Sequence, residues 1–451
     1  MIKQRNKAAN KCIDLIKEYK WIILVCIALF LERVCAAYFL GFSYNINSDD
    51  LSYVKSGIEF ANTGRITMHG VLSAQIMPGM PVLIGFFSLF WGGEGEALWI
   101  VLKIVWALMG AITAFYIYKS VLIFAPKIFA VISVLPLFLI NYVWMDNLIL
   151  TETPFMLFLS MLIYATLMMG KKQENKYFWL CVVTYMLTLM FKANIAIYPL
   201  FAMAYLLAVK YGFVRLIKQG LILGLVILCF VVPWSIRNYI HYDAFIPLTW
   251  GSGNPLLLGT YQGIGYPLDE ELDYKTNVEN VVKEEYKEYY DSDGKIKEDY
   301  LEKYIALEAD GIKARYRMTE WFERNPGSMI YSYLISKPLD MINGVFYWNE
   351  IFNIHVGGLV VLKKVNCILC IFLIPLSLLL KKDRAEVLYL AGTYAGNILL
   401  YAVYFALNRY SETLMPFRYI GMGIALYFSM LFAERVYKSI KKIGVKGKLD
   451  G

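Results

Sequence analysis

Apolar runs of about 20 residues, bounded by Lys and Arg, recur along the chain. A run of that length, coiled as a helix, matches the roughly 30 Å hydrocarbon core of a bilayer. That repetition constrains the fold more than any other feature: it predicts an all-α polytopic membrane protein. Composition agrees. Of 451 residues 59% are hydrophobic and 18% charged, against about 45–50% and about 25% in average soluble domains. A disordered chain, a collagen-like chain and a disulfide scaffold are excluded, and a water-soluble enzyme is a poor fit. About ten transmembrane helices are expected, at about 21–41, 97–118, 128–145, 153–170, 177–191, 195–211, 219–235, 359–380, 385–407 and 414–434.

Charge placement sets the orientation. Lys3, Arg5, Lys7, Lys11, Lys17 and Lys20 precede the first span, and Arg435, Lys438, Lys441, Lys442, Lys446 and Lys448 follow the last. Both termini therefore read as cytoplasmic, in a multi-pass protein of the cell membrane. Each cluster abuts a span, which argues against nucleic-acid tails. The basic region before Trp21 and the interruption at Glu32 and Arg33 mark the first span as a retained signal-anchor. The run Pro78–Trp91 is apolar but short, which suits an interfacial or re-entrant helix. If it does not cross, the Lys and Arg clusters at 119–127, 171–176, 210–218 and 381–384 all fall inside.

This topology divides the chain into a basic N-terminus (1–20), a membrane module (21–261) with a first outer loop (42–96), an extracytoplasmic cap with a juxtamembrane segment (262–356), C-terminal spans (357–434) and a basic tail (435–451). In the cap, Leu301, Ile305, Ala309, Ile312 and Tyr316 share a helical face. A turn at Asp291–Gly294 precedes it and Asn325 to Gly327 breaks it. Many of the 35 Tyr fall in this outer region, among them Tyr266, Tyr274, Tyr286, Tyr289, Tyr290, Tyr300 and Tyr304; an interfacial belt and a sugar-binding surface both favour such side chains.

Six of the seven Cys lie in apolar runs and none in the large polar segment, so disulfides are not part of the design. The Cys367/Cys370 pair reads as packing. His69, His241 and His355 are scattered, which does not support a His-rich metal site. No Walker A, Rossmann fingerprint, H-E-x-x-H or G-x-S-x-G motif is present.

Chemistry concentrates at the outer ends of spans. From Asn47 to Gly64, the residues Leu51, Val54, Ile58 and Ala61 share one helical face, with Ser48 placed to cap the helix and Gly64 to end it. Asp49 and Asp50 then sit in its first turn. They either complement the helix dipole or supply a carboxylate base, since adjacent acids at a low-dielectric surface make each other better proton acceptors. Lys103, Lys192, Arg237 and Arg409 lie at the outer ends of spans. Such cations either snorkel to headgroups or line a wet site, where together they suit a lipid phosphate. Asp146 and Glu152 flank the outer ends of the third and fourth spans, as partners for those cations, as orienters of a substrate hydroxyl or, for Glu152, as a helix N-terminal acid after Thr151.

These residues occur in a family order. Asp49, Asp50, Tyr53 and Gly64 resemble the D-[DE]-x-x-Y…G signature of the first outer loop in GT-C glycosyltransferases. The similarity is greatest to protein O-mannosyltransferase-like and aminoarabinose-transferase-like bacterial enzymes of glycosyltransferase family 39. Pro78 to Pro81 resembles their P-G-x-P juxtamembrane helix, and Lys103, ahead of Gly110, a position usually held by Arg. Thr151 and Glu152 resemble the T-E of their fourth span, Leu189 to Lys192 their L-x-[RK] turn, Pro233 to Asn238 their P-W-x-x-R-N, and Arg409 and Tyr410, with Pro416 beyond, their R-Y-x-x-P. The chain departs from the pattern in having Asp50 where many members have Glu, in a longer Arg409–Pro416 spacing, and in lacking a Lys just before Pro78.

The resemblance implies a GT-C-like fold with helical extracytoplasmic loops and an inverting transferase whose donor is a polyprenyl-phosphate-linked sugar. It implies that Asp49 is the base and Asp50 its support or an acceptor-positioning group. Lys103, Lys192, Arg237, Arg409 and Tyr410 are expected on the donor phosphate, with Tyr53, Asp146, Glu152 and Asn238 supporting. The acceptor is a hydroxyl on a protein, a wall polymer or a lipid-linked glycan; the other partners are membrane lipids, and nucleic acid is not among them. No metal ligand set is evident, although carboxylates and phosphate can share a divalent cation. The rival readings are a membrane polysaccharide ligase or polymerase, expected to place Arg and His in its large loop, and a transporter, expected to carry mid-span polar residues and paired halves.

Overall fold

The computed structural model describes residues 2–93, 95–355 and 357–446, with side chains described between residues 18 and 441. Lys448 lies outside the described residues, and most of the N-terminal basic side chains lie outside the described range. Helix α1 (Ile2–Leu40) leads into the first loop, which folds as α2 (Asp49–Thr63), an antiparallel hairpin of β1 (Thr67–Met68) and β2 (Val71–Leu72), and α3 (Gly79–Trp91). Then come α4 (Glu96–Val121), α5 (Lys127–Ile132), α6 (Ile140–Asp146), α7 (Glu152–Lys172), α8 (Asn175–Phe191), α9 (Tyr198–Ala208) and α10 (Phe213–Tyr242). The polar region holds α11 (Gly253–Gly259), α12 (Asn280–Glu285), α13 (Asp299–Arg324), α14 (Pro326–Tyr331) and α15 (Lys337–Asn343). The chain closes with α16 (Gly357–Leu380), α17 (Arg384–Val403), α18 (Asn408–Glu412) and α19 (Met415–Lys446).

Helices occupy all ten stretches expected to cross. Six are long and apolar enough by length and composition, or seven if α5 and α6, bent by 68°, act as one span. The chain is a multi-pass membrane protein with six or seven candidate spans on that measure. The remaining three stretches fall short for physical reasons. α8 has 17 residues and ends at Lys192, where the backbone turns extended; α9 follows only after a short 3-10 turn. α17 carries Glu386 and Asn397, both buried inside the protein, so it does not need a uniformly apolar face.

The first loop is built largely as its sequence dictates. Gly64 ends α2 with φ of 73°, a conformation that favours glycine. Ser48 holds the N-cap position, but its hydroxyl makes no cap; the Asp50 carboxylate serves the turn instead. α3 is 13 residues long, about 20 Å at 1.5 Å per residue, too short to cross. Phe86, Leu89 and Phe90 are exposed along it.

In the cap, Leu301, Ile305 and Ile312 of α13 are buried against Tyr242, Trp250, Val278, Val282 and Tyr286. Tyr286 and Tyr304 are core residues there rather than an interfacial belt. Asp291 closes the expected turn by accepting from the Asp293 and Lys295 N–H groups, and Asn325 caps α14 through Ser328 N–H. Among the described residues every cysteine is free, and Cys370 Sγ donates to Arg418 O at 3.1 Å, as packing residues do.

Candidate active site

Four charged side chains from distant parts of the chain converge. Glu152 is the first residue of α7 and fully buried. Arg409, on the short helix α18, grips it through Nε at 2.7 Å and Nη2 at 3.2 Å. Lys192, thrown inward by the break between α8 and α9, reaches the same Oε1 at 2.9 Å. Arg409 Nη1 also donates to Asp49 Oδ2 at 2.7 Å. Two acids and two bases balance, so the cluster is neutral as a unit. Forked Arg pairing of this kind fixes direction as well as charge.

The cluster opens onto a cavity of about 500 Å³ lined by Asp49, Tyr53, Thr151, Lys192, Asn194, Tyr401, Arg409 and Tyr410, with Thr249, Ser252 and Pro255 from the segment after α10. The Tyr410 ring lies under Lys192 Nζ at 5.6 Å and stacks on Tyr401 at 5.4 Å between centroids. Burial opposes the Arg409 charge, but Glu152 and Asp49 outweigh it and hold its pKa above the ordinary value. Burial, reinforced by Asp49, raises the Tyr53 phenol, which therefore stays protonated.

Asp49 and Asp50 part company. Asp50 is fully buried and accepts from the N–H groups of Ile46 at 2.8 Å, Ser48 at 3.1 Å and Leu51 at 2.9 Å. It shapes the turn and does not line the cavity. Asp49, 32% exposed, keeps Oδ1 free of Arg409, and His69 Nε2 stands 3.8 Å from that oxygen. His69 shares a hydrogen bond with Ser52 through Nδ1 at 3.0 Å and occupies the hairpin turn with φ of 54°. A non-glycine residue there is uncommon. No local signal marks this neighbour, since only the hairpin brings position 69 back to position 49.

The expected cation set divides. Lys192 and Arg409 meet; Lys103 and Arg237 do not join them. Lys103 is buried and donates to the carbonyls of Tyr44, at 2.6 Å, and Asn147, tying the first loop to the α6–α7 turn. Arg237 donates to Ser73 O at 3.0 Å and to Asn238 Oδ1 at 2.8 Å, while Asn238 donates to Ile246 O at 2.9 Å. Both brace the C-terminal end of α10. Asp146 pairs with Arg33 at 2.6 Å and accepts from Thr153 at 2.6 Å, away from the cavity. Gly110 makes room for that pair: a Cβ there would run into both Asp146 and Arg33. Among the described residues no group of three His, Cys, Asp or Glu converges as a metal site requires.

Residues 78–236 match the family described as dolichyl-phosphate-mannose-protein mannosyltransferase. No curated protein sequence matches the chain. Among solved structures, the archaeal oligosaccharyltransferase AglB from Archaeoglobus fulgidus, in complex with an inhibitory peptide and a dolichol-phosphate, superposes with a TM-score of 0.51 at 15% identity. That match covers 95% of this chain and 52% of AglB, so the chain spans about half the length of that protein. ArnT from Cupriavidus metallidurans superposes with a TM-score of 0.40 at 14% identity, both bound to undecaprenyl phosphate and in the apo state; the matches cover 90% and 92% of this chain and 78% of ArnT. Over residues 78–236 the chain is thus similar to the dolichyl-phosphate-mannose-protein mannosyltransferases, and over most of its length it shares the fold of AglB.

Proposed function

We propose that the chain moves a sugar from a polyprenyl-phosphate-linked donor to a hydroxyl acceptor at the outer membrane face, with inversion. One observation carries this reading: a single cavity holds a carboxylate with a free oxygen, Asp49, beside two cations held in place by a buried acid. The description of the family matched over residues 78–236 supports a lipid-phosphate donor. The reading places ten crossings, both termini on the cytoplasmic side and the cluster on the outer side, because the positive-inside rule favours that arrangement.

In this reaction the acceptor oxygen attacks the anomeric carbon as the bond from that carbon to the phosphate oxygen breaks. The electron pair leaves with the polyprenyl phosphate, and the hydroxyl proton passes to Asp49 Oδ1. Lys192 spends one of its three donors on Glu152, and Arg409 has N–H groups beyond those given to Glu152 and Asp49. The remaining donors suit the charge that develops on the leaving phosphate, stabilised by groups already fixed in place. Phosphate leaves readily, so one base suffices. Glu152 and Asp50 act through others, as positioning residues.

The test is a donor panel. Membranes holding the chain are incubated with a set of polyprenyl-phosphate sugars, and release of polyprenyl phosphate is measured beside the Asp49→Asn variant. Consumption of one donor by the wild type alone supports the proposal. Equal consumption by the variant removes Asp49 from the base role, and no consumption of any donor overturns the donor class.

A further inference from the structure

A second charged cluster lies at the other end of α18. Glu412 is buried between Lys363, 2.7 Å from Oε1, and Arg418, 2.5 Å from Oε2, and Oε2 also accepts from Tyr142 at 3.1 Å. Here two cations meet one acid, so a net positive charge remains. Lys363 is spent on the carbonyls of Met341 and Gly344 and on Ser411 Oγ. Beside it lies a cavity of about 330 Å³ between α16, α19 and the bent α5–α6 segment. Asn141 and Asn366 line it, each 4% exposed. Asn141 Oδ1 and both polar atoms of Asn366 have no partner among the described residues, nor has Arg418 Nε. Polar groups left unpaired at membrane depth are expensive, so an occupant that pairs them is strongly favoured. The flanking side chains Leu135, Leu362 and Val365 are each about half exposed, as residues facing acyl chains are.

We propose that this cavity binds the headgroup of an anionic membrane lipid. The free groups comprise donors and acceptors beside an excess of positive charge, which matches a phosphate that carries hydroxyls. The apolar flank provides the route for the tails, and selects a lipid over a free anion. The site is separate from the donor cavity, yet Glu412 lies three residues beyond Arg409 on α18, so its occupancy steadies the helix that presents Arg409.

The full-length protein in detergent is titrated with phosphatidylglycerol or phosphatidylcholine, following thermal stability and, by native mass spectrometry, retained lipid. Wild type should show saturable stabilisation by phosphatidylglycerol and little by phosphatidylcholine. The Asn141→Leu/Asn366→Leu double variant should begin at an equal or higher lipid-free Tm, because it carries no unpaired amides, yet bind phosphatidylglycerol about tenfold or more weakly, the loss expected for one or two hydrogen bonds. An undiminished response in the double variant, or equal responses to the two lipids in wild type, overturns the proposal. If the double variant does not fold, Asn366→Leu alone is measured the same way, and unchanged affinity overturns it. No donor sugar enters these measurements, so their failure is distinct from failure of the transferase reading.

Discussion

The two ends of α18 hold the same device in two settings. Glu152 lies between Arg409 and Lys192; Glu412 lies between Arg418 and Lys363. Each buried acid is ion-paired twice, and in each case the cations come from different helices. The difference is a second carboxylate. Asp49 joins the first cluster through one oxygen and keeps the other facing His69, whereas the second has no such acid and is closed by Tyr142 and Tyr419. A buried ion triplet therefore marks a braced joint, not by itself a catalyst. What distinguishes the setting proposed as reactive is a carboxylate oxygen that the structure does not need for its own cohesion.

Substitutions that remove or mimic this difference should rank accordingly. Asp49→Asn keeps the Arg409 contact in shape but removes the proposed base, and should lower kcat about 10²–10⁴-fold with thermal stability near wild type; single-turnover transfer measures it. Arg409→Ala leaves Glu152 with Lys192 alone and should cost about 3–5 kcal/mol of stability as well as most activity, read from denaturant midpoints and donor turnover. A wild-type midpoint in that variant would mean that the pair adds little.

Glu412→Gln tests the second cluster, with an expected loss of about 3 kcal/mol and a smaller effect on turnover per folded molecule. Its pH dependence has a defined sign. Burial alone would raise the Glu412 carboxyl, but Arg418 and Lys363 outweigh it and hold it at about 2, against an ordinary 4.5. Its stabilisation is thus complete above 4.5 and lost as pH falls toward 2; thermal melts from pH 6 to 3 should fall less steeply in the variant than in wild type. A smaller effect is expected of His69→Asn, since Asn tolerates the turn's positive φ. It should lower the transfer rate well short of the about 10²-fold that loss of a direct proton acceptor costs, with donor KM unchanged. Arg237→Ala should follow His69→Asn, because Arg237 braces the β1–β2 hairpin through Ser73, and leave donor KM unmoved.

Much of this was legible before any coordinates. Helix positions follow from apolar runs, and the ends of α2 and α14 from Gly64 and Asn325, because those signals are local. Span number is less local: α8 is cut short by the break at Lys192, and α17 carries polar residues that neighbouring helices, not lipid, surround. At the site, the acids and cations singled out at span ends include the four that meet, but sequence position cannot say which of them do. Lys103 and Arg237 look like Lys192 and Arg409 in one dimension, and only the folded chain shows the first two spent on carbonyls. Asp50 is indistinguishable from Asp49 until the turn places three amides on it. Lys363, Glu412 and Arg418 carried no motif at all, since their common feature is a meeting of α16, α18 and α19.

At 30 residues α10 is among the longest helices, and it is also among the least embedded, with 11% of its apolar window buried. Its attachments are at the ends. Arg215 donates to Gln173 O at 2.7 Å on one side, and Trp234 Nε1 and Asn238 reach the carbonyls of Leu248 and Ile246 on the other. The intervening turns meet mainly lipid, which tests a side chain for oiliness and little else. Sequence drift there should be nearly free, while the last two turns tolerate almost none. In α10, heritable information is concentrated at the fastenings, and the middle is written in any apolar alphabet.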